Sequence, residues 1–389
     1  MKTNTGYYTV GTNAFTDKLS AILHASVTAE EVTWHFNDEV YKNVDWTTEP
    51  ELSIDEFYKI RAQQIRDEYD YVIILCSGGG DSTNVVWSFL NNGIHVDEVV
   101  ASAPISGLSN WQATNKDTSA GNTMSETMLA QLPLMHEIHS KHPDIKITIN
   151  DYFETLLDYQ TDDWIFRCGE WIHPSSGARY DLDKQTHIKQ LAEQGKKIAI
   201  VYGIDKPHLF YDHDNNIHVM MSDLTVNVQR PPFKDKYPNV ENVLFYFAPD
   251  LPQMQVKQAH MVAKWIHLPD NKFALEKMLD RRKPETTLEQ SRHRHSFYER
   301  AIIPCIYPTT HRRVFQGHKP SRMFLGEHDD WFYKMHNNTR AFDLIVSDFR
   351  NFIKEINPMY LNAPRTGFKV YRQRYKIGAI SDFMPNIEV

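Results

Sequence analysis

The sequence predicts an α/β protein built on a parallel, doubly wound sheet that carries helices on both faces. Strand-like apolar runs alternate with helical patterns along residues 51–230, which is typical of a parallel sheet with helical crossovers. Residues 71–76 form a continuous apolar run, as expected for a parallel strand buried on both faces. We expect a short N-terminal α+β segment at residues 1–50 before this domain and a mostly helical C-terminal domain at residues 231–389 after it.

Composition excludes several classes of protein. Hydrophobic residues make up 41% of the 389 residues, which is enough for a large core and argues against general disorder. No run approaches the roughly 18 apolar residues that a membrane helix needs, and the N-terminus lacks the pattern of a signal peptide. Cys76, Cys168 and Cys305 are too far apart for a disulfide framework or a C-x-x-C motif. We therefore expect a cytoplasmic protein with no membrane attachment.

The first elements follow clear local patterns. Residues 32–36 alternate between apolar and polar side chains, which predicts a half-buried strand. A helix is expected at residues 53–69, because Ser53 and Glu56 have the spacing of a capping box. The apolar stripe of this helix consists of Ile54, Tyr58, Ala62, Ile65 and Tyr69.

The later elements continue the alternation. After the apolar run at residues 71–76, a helix at residues 83–90 stops at Gly93, a residue suited to a helix C-terminus. Further strands are predicted at 97–102, 145–149 and 197–202, helices at 124–140 and 183–194, and a hairpin from 209–211 and 219–221. Pro231 and Pro232 mark a domain boundary. Beyond it, helices are expected at 253–266, 272–282 and 339–356.

A glycine-rich loop joins the apolar strand to the next helix. Its residues are Ser77-Gly78-Gly79-Gly80-Asp81-Ser82. Such a loop presents backbone N–H groups at a helix N-terminus, where the helix dipole favours phosphate. The three glycines leave room for close approach, the two serines add hydroxyl donors, and Asp81 is a candidate ligand for a magnesium ion. A tight turn without a ligand is the alternative.

Other motifs fit this loop less well. A Walker motif needs a hydroxyl residue after Gly-Lys, and the Gly-Lys pair of this chain is followed by a second lysine. A dinucleotide-binding fingerprint needs a third glycine where Thr83 stands. The serine-hydrolase pattern G-x-S-x-G matches residues 80–84 except that Asn84 replaces the last glycine. A hydrolase with Ser82 as its nucleophile therefore stays open.

The loop resembles the S-G-G-x-D-S signature of the PP-loop ATP pyrophosphatases, and its strand-loop-helix context agrees with that superfamily. The superfamily has the adenine nucleotide alpha hydrolase-like fold and includes asparagine synthetase, GMP synthetase and the PAPS reductases. The resemblance covers residues 50–230. It implies that the loop binds the β- and γ-phosphates of ATP, that an acceptor oxygen attacks the α-phosphate, and that pyrophosphate leaves. The adenylated acceptor then reacts with an amine, ammonia or sulfur.

The resemblance also implies roles for residues outside the loop. The end of the second strand, at Ala101 and Ser102, would hold adenine through backbone groups. After a later strand, Gly203 would approach the phosphates and Lys206 would stabilise the charge that develops on the α-phosphate. The alternative for residues 203–207 is a simple turn before the hairpin.

The cofactors that the resemblance implies are ATP and a magnesium ion. Asp81 in the loop and Asp205 after the later strand are the candidate metal ligands. Asp81 and Lys206 are the candidate catalytic residues.

The nucleophile is inferred by elimination. Sulfur transfer usually needs catalytic cysteines, whereas Cys76 ends a buried strand and Cys305 lies between Pro304 and Ile306, so both are expected in the core. We therefore expect a ligase or an amidotransferase-like enzyme that uses an amine or ammonia. A sulfur-transferring or PAPS-reductase-like enzyme, a serine hydrolase and a nucleotide-binding protein without turnover remain alternatives.

Charge is unevenly distributed along the chain. The net charge of −8 includes a basic segment at residues 271–320, with 11 lysine or arginine residues against 5 acidic ones. This segment, with Arg292, Arg294 and Arg300, is a candidate contact for an anionic small molecule or a nucleic-acid acceptor; a solvated helical surface is the alternative. Residues 246–252 mix aromatic and polar side chains, which fits a substrate pocket or core packing. The sequence predicts no oligomeric state.

Overall fold

The computed structural model describes three sheets and the helices around them. The described residues are 6–103, 105–107, 127–151, 185–204, 206–223, 236–280, 302, 305–308 and 371–384. They form one five-stranded parallel sheet and two three-stranded antiparallel sheets. The predicted α/β class is therefore confirmed.

The N-terminal segment contains an antiparallel sheet and two helices. Strands β1 (Tyr7–Val10) and β2 (Asn13–Phe15) form a hairpin, and β3 (Val32–His35) pairs with the other edge of β1. Helix α1 (Lys18–Thr28) connects β2 to β3, and helix α2 (Asp38–Tyr41) follows β3. The strand predicted here from its alternating side chains is confirmed.

Helix α3 (Ile54–Glu68) leads into the parallel sheet. Its capping box is complete, because the Ser53 hydroxyl accepts a bond from the Glu56 N–H at 3.3 Å and the Glu56 carboxylate accepts one from the Ser53 N–H at 2.8 Å. The helix buries its predicted apolar stripe, and the extended backbone of Tyr69 ends it. The helix predicted from this capping box is confirmed.

Five strands make up the parallel sheet. They are β4 (Tyr71–Leu75), β5 (Glu98–Ala103), β6 (Lys146–Asp151), β7 (Ile198–Tyr202) and β10 (Val240–Leu244). The strand order is β10-β7-β4-β5-β6, and every neighbouring pair is parallel. The chain thus runs outward from β4 to β6 and then continues on the other side of β4. The order reverses between β4 and β7, and open α/β sheets bind their ligands at such a point, outside the carboxyl ends of the strands.

The two strands at this reversal are buried. Val72, Ile73 and Ile74 of β4 and residues 198–201 of β7 have no exposed surface. Burial of consecutive residues means that both faces of each strand are covered, as the continuous apolar run predicts. A loop that follows either strand is therefore held by a rigid base.

Helices connect the strands of the parallel sheet. Helix α4 (Gly80–Leu90) follows β4, and it packs against α3. A π-helical turn (Thr127–Gln131) and helix α5 (Leu132–Lys141) precede β6, and helix α6 (Thr186–Glu193) precedes β7. The described residues thus contain each of the helices predicted between these strands.

A second antiparallel sheet follows β7 in the chain. Strands β8 (His208–Tyr211) and β9 (Asn216–Ser222) form the predicted hairpin. Strand β11 (Tyr371–Ala379) pairs with the other edge of β9. The sequence analysis did not predict β11, which comes from a distant part of the chain.

The region predicted as a mostly helical domain contains strands as well as helices. Its described helices are α7 (Gln253–Ile266), α8 (Lys272–Asp280) and α9 (Ile380–Phe383). Strand β10 also belongs to this region, so the parallel sheet continues past the boundary predicted at Pro231 and Pro232. A mostly helical C-terminal domain remains a prediction, and the helix predicted at residues 339–356 lies outside the described residues. Among the described helices, none has both the length and the apolar character that crossing a membrane requires.

A buried ion pair connects the N-terminal segment to the end of β9. The Lys18 ammonium lies 2.6 Å from the Asp223 carboxylate, and the Tyr8 hydroxyl donates to the same carboxylate oxygen at 2.6 Å. The side chains of Lys18 and Asp223 are 2% and 0% exposed. Charges this deeply buried are tolerated because they are paired and hydrogen-bonded.

We expect that breaking this buried pair destabilises the protein more than breaking an exposed pair. Lys18→Met leaves the Asp223 carboxylate buried without its cation, so the free energy of unfolding should fall by about 3–5 kcal/mol. The matched control is Lys197→Met, which breaks a half-exposed pair with Glu68 and should cost less than about 1 kcal/mol. Urea denaturation measures both losses, and equal losses would contradict the prediction.

Candidate functional site

The glycine-rich loop lies at the reversal of strand order. It begins directly after β4 and ends in the first turn of α4. Leu75 at the end of β4 is in register with Tyr202 at the end of β7. The described residues that follow the two strands, 76–82, 203, 204 and 206, are therefore neighbours at one edge of the sheet.

Hydrogen bonds between the two serines close the loop. The Ser82 hydroxyl accepts a bond from the Ser77 N–H at 3.1 Å, lies 3.2 Å from the Ser77 hydroxyl and is 3.3 Å from the carbonyl oxygen of Gly79. The Ser77 hydroxyl in turn accepts a bond from the Gly79 N–H at 3.3 Å. Both hydroxyls therefore stabilise the loop itself, in addition to the phosphate contacts that the sequence predicts for them.

Two glycines of the candidate site are required by close packing. Gly78 has a φ of +75°, and a Cβ atom there would lie 2.8 Å from the backbone of Ala130 and Gln131 in the π-helical turn. At Gly203, a Cβ atom would lie 3.0 Å from the backbone of Asp81 and 3.0 Å from the N atom of Ser82. The loop is therefore packed between the π-helical turn and the chain after β7, and neither position leaves room for a side chain.

The predicted catalytic residues meet directly. The Lys206 ammonium donates to both carboxylate oxygens of Asp81, at 2.8 Å to Oδ1 and 2.6 Å to Oδ2. The Tyr307 hydroxyl donates to Oδ1 of the same carboxylate at 2.6 Å. The Asp81 side chain is 16% exposed and the Lys206 side chain 6%. The first turn of α4 thus carries a nearly buried ion pair at the carboxyl edge of the sheet.

Buried tyrosines support Asp81 from the side of the core. The Tyr246 hydroxyl donates to the carbonyl oxygen of Asp81 at 2.8 Å and accepts a bond from the Asn84 amide at 3.0 Å. The rings of Tyr246 and Tyr307 lie 5.3 Å apart, and Tyr58 packs edge-on against Tyr246. Burial raises the pKa of all three phenols well above its usual value. Their hydroxyl groups therefore stay protonated and available as donors.

Only part of this set is predicted from the sequence. Tyr246 lies in the segment that was a candidate for a pocket or for core packing, and the structure buries it in the core. Tyr58 appeared only as a member of the apolar stripe, and Tyr307 was not singled out. The polar hydroxyls of tyrosines in apolar stretches are the one signal that could have indicated these contacts.

The predicted adenine-binding residues lie at the end of β5, beside the loop. The Cys76 N–H, just before the loop, donates to the carbonyl oxygen of Val100 at 2.8 Å. Ala101 and Ser102 come directly after Val100 in β5. Ala101 is buried. The Ser102 carbonyl oxygen accepts a bond from the Gln131 amide at 3.1 Å, so this backbone acceptor already has a protein partner.

The alternatives that need a reactive serine or cysteine lack support in the described residues. Ser82 is 7% exposed, and its described hydrogen bonds connect it to Cys76 and to residues of the loop and not to a histidine that could act as a base. Cys305 is partly buried, and burial raises the pKa of its thiol to about 12. A thiol with that pKa is protonated at neutral pH and is a poor nucleophile.

Several predicted residues lie outside the described part of the chain. They are Asp205, Cys168, and the three arginines Arg292, Arg294 and Arg300 of the basic segment. Their predicted roles remain predictions.

The residues around the loop fit a magnesium-bound polyphosphate better than a free metal ion. The described residues contain no group of three or more His, Cys, Asp or Glu side chains that could hold a metal ion alone. Magnesium ions are commonly held by one or two carboxylates together with substrate phosphates, and Asp81 supplies one carboxylate. The first N–H groups of α4 have no partner within the helix, and the Lys206 ammonium contacts the same turn through Asp81.

Comparison with known proteins gives no independent indication of function. No family model, no curated protein and no solved structure matches this chain. The function is therefore inferred from the residues of the loop and their contacts.

We expect that Gly78→Ala destabilises the protein more than a matched glycine substitution. Gly195 also has a positive φ, +81°, but a Cβ atom there would meet nothing within 4 Å. Gly195→Ala should therefore cost only the backbone strain, about 1–2 kcal/mol. Gly78→Ala adds the overlap with the π-helical turn, which should lower the free energy of unfolding by a further amount of about 1–3 kcal/mol. Urea denaturation measures both, and equal losses would show that the close approach at Gly78 is not tight.

Proposed function

We propose that this chain is an ATP pyrophosphatase of the PP-loop type that adenylates an acceptor and releases pyrophosphate. The observation that carries the proposal is the meeting of Asp81 and Lys206 on the glycine-rich loop, at the reversal of strand order. A glycine-rich turn at a helix N-terminus favours phosphate, and the position in the sheet is the one where α/β proteins bind ligands. The proposal includes the doubly wound, adenine nucleotide alpha hydrolase-like fold.

The first turn of α4 supplies the phosphate-binding groups in this proposal. The N–H groups of residues 80–82 bind the β- and γ-phosphates of ATP, and Ser77 and Ser82 hold the loop in place through their mutual hydrogen bonds. Backbone groups at Ala101 and Ser102 bind adenine, and Gly203 allows the chain after β7 to approach the phosphates. Asp81, with Asp205 as a second candidate, would hold a magnesium ion, which would offset the negative charge of the phosphates.

Lys206 supplies the charge that the reaction needs. A carboxylate or other oxygen of the acceptor attacks the α-phosphorus, a new P–O bond forms, and the bond to the bridging oxygen breaks as pyrophosphate leaves. Negative charge develops on the α-phosphate and the leaving group, and an ammonium that is held in place stabilises it without reorganisation. An amine or ammonia then attacks the adenylated acceptor, AMP leaves, and one proton is released.

The acceptor in this proposal is an anionic small molecule or a nucleic acid. The basic segment at residues 271–320, with 11 lysine or arginine residues against 5 acidic ones, is the candidate surface for it. Burial raises the pKa of the Cys305 thiol, so this residue is a poor sulfur nucleophile. This favours an amine or ammonia as the nucleophile. We accordingly propose a cytoplasmic ligase or amidotransferase-like enzyme.

We expect the chain to convert ATP into AMP and pyrophosphate in the presence of Mg²⁺ and a suitable acceptor. The assay uses ATP labelled at the α-phosphate, hydroxylamine as the amine, and separate panels of small carboxylic acids and RNA as acceptors. Lys206→Met should lower AMP formation by about 100-fold or more, because it removes the group that stabilises the developing charge. The control is Lys197→Met, which removes the lysine just before β7, at the opposite end of the same strand.

Other results identify the alternatives. ADP as the product, or equal activity in the Lys206→Met and Lys197→Met variants, contradicts the proposal. Binding of ATP without AMP formation with any acceptor favours a nucleotide-binding protein without turnover. Labelling of Ser82 by a fluorophosphonate in the absence of ATP favours the serine hydrolase.

A further inference from the structure

The charged groups of the candidate site are fully engaged with each other. Oδ1 of Asp81 accepts bonds from Lys206 and Tyr307, and Oδ2 accepts one from Lys206. The Asp81 carboxylate therefore has no oxygen free of a protein donor. A metal ion that binds the remaining lone pair of Oδ2 arrives beside the Lys206 ammonium, and the repulsion between the two cations favours displacement of Lys206.

The pairing of Asp81 with Lys206 also affects a polyphosphate that arrives without a metal ion. Such an anion would approach the N-terminus of α4, where the Asp81 carboxylate lies in the first turn of the helix. Like charges repel strongly at a site with so little exposure to water. The neutral pair of Asp81 and Lys206 attracts such an anion less than an unpaired ammonium would.

We infer that Asp81 and Lys206 exchange partners when a magnesium-bound polyphosphate enters the site. The ion pair between Asp81 and Lys206 thereby selects against a polyphosphate that carries no metal ion. The incoming cation takes the place of Lys206 at Asp81, and the incoming phosphate takes the place of Asp81 at Lys206. Each buried charge has an opposite partner before and after the exchange, so no charge is left uncompensated in the site. This exchange rests on the proposed function.

The hydrogen bonds indicate which carboxylate oxygen is released. Among the described residues, Lys206 is the one donor to Oδ2 of Asp81, whereas Lys206 and Tyr307 both donate to Oδ1. Departure of Lys206 thus frees Oδ2 and leaves Oδ1 fixed. The Tyr58 hydroxyl donates to the carbonyl oxygen of Ile306 at 2.6 Å, which anchors the segment that carries Tyr307. Tyr307 is therefore a positioning residue for the Asp81 carboxylate.

The test compares the binding of inorganic tripolyphosphate with and without Mg²⁺ by isothermal titration calorimetry. Asp81→Asn removes the negative charge and releases Lys206. Without Mg²⁺, in the presence of EDTA, the variant should bind tripolyphosphate about 10-fold or more tightly than wild type, and with Mg²⁺ about 10-fold or more weakly. The matched control is Asp55→Asn, an exposed residue at the second position of α3, just as Asp81 is at the second position of α4. It should leave both affinities unchanged.

A second variant tests the positioning role. Tyr307→Phe keeps the ring and removes only the hydroxyl that holds Oδ1. Binding of tripolyphosphate with Mg²⁺ should weaken about 10-fold or more, the loss expected for one hydrogen bond to a charged group, and binding in EDTA should not change. Equal weakening under both conditions would mean that the variant disturbs the loop in general, and would overturn the positioning role.

The outcomes separate this inference from the proposed function. If wild type binds Mg²⁺-ATP but Asp81→Asn shows no gain for tripolyphosphate in EDTA, the exchange is overturned and the proposed function stands. If wild type binds neither ATP nor tripolyphosphate under any of these conditions, the proposed function fails and the exchange fails with it. A gain in EDTA together with a loss in Mg²⁺ supports both.

Discussion

The contact between Asp81 and Lys206 is the interaction on which the organisation of the candidate site depends. Asp81 belongs to the helix after β4, and Lys206 belongs to the chain after β7. These strands are neighbours in the sheet although more than a hundred residues separate them, and their parallel register brings both carboxyl ends to the same level. The ion pair thus joins two loops that the fold has already placed side by side, and buried tyrosines hold it from the core.

The glycines and serines of the loop serve the fold as well as the proposed ligand. Gly78 and Gly203 are needed because other backbone lies where a side chain would be, and the serine hydroxyls close the loop upon itself. A phosphate-binding loop must keep its N–H groups in a fixed arrangement before the ligand arrives, since ordering them on binding would cost affinity. The residues that rigidify the loop are therefore the same residues that would bind the proposed ligand.

The sequence predicted the elements that depend on local patterns and missed those that depend on distant pairing. The apolar strand, the capped helix at residues 53–69 and the hairpin carry their signals within a few residues, and all three are present. Strand β10 is short and lies after two prolines, so nothing local indicates that it pairs with β7. Tyr307 contacts Asp81 across 226 residues of sequence. A tyrosine in an apolar stretch looks like a core residue, and its hydroxyl partner is fixed only by the tertiary fold.

Strand β11 has a consequence for how the chain is made. Its Tyr375 stacks on Trp46 with ring centroids 4.7 Å apart, while its backbone pairs with β9. Synthesis proceeds from the N-terminus, so the strands of the parallel sheet are complete well before β11 leaves the ribosome. The aromatic surface around Trp46 and the outer edge of β9 must wait for that strand. Packing of β11 against this surface therefore follows the synthesis of every strand of the parallel sheet.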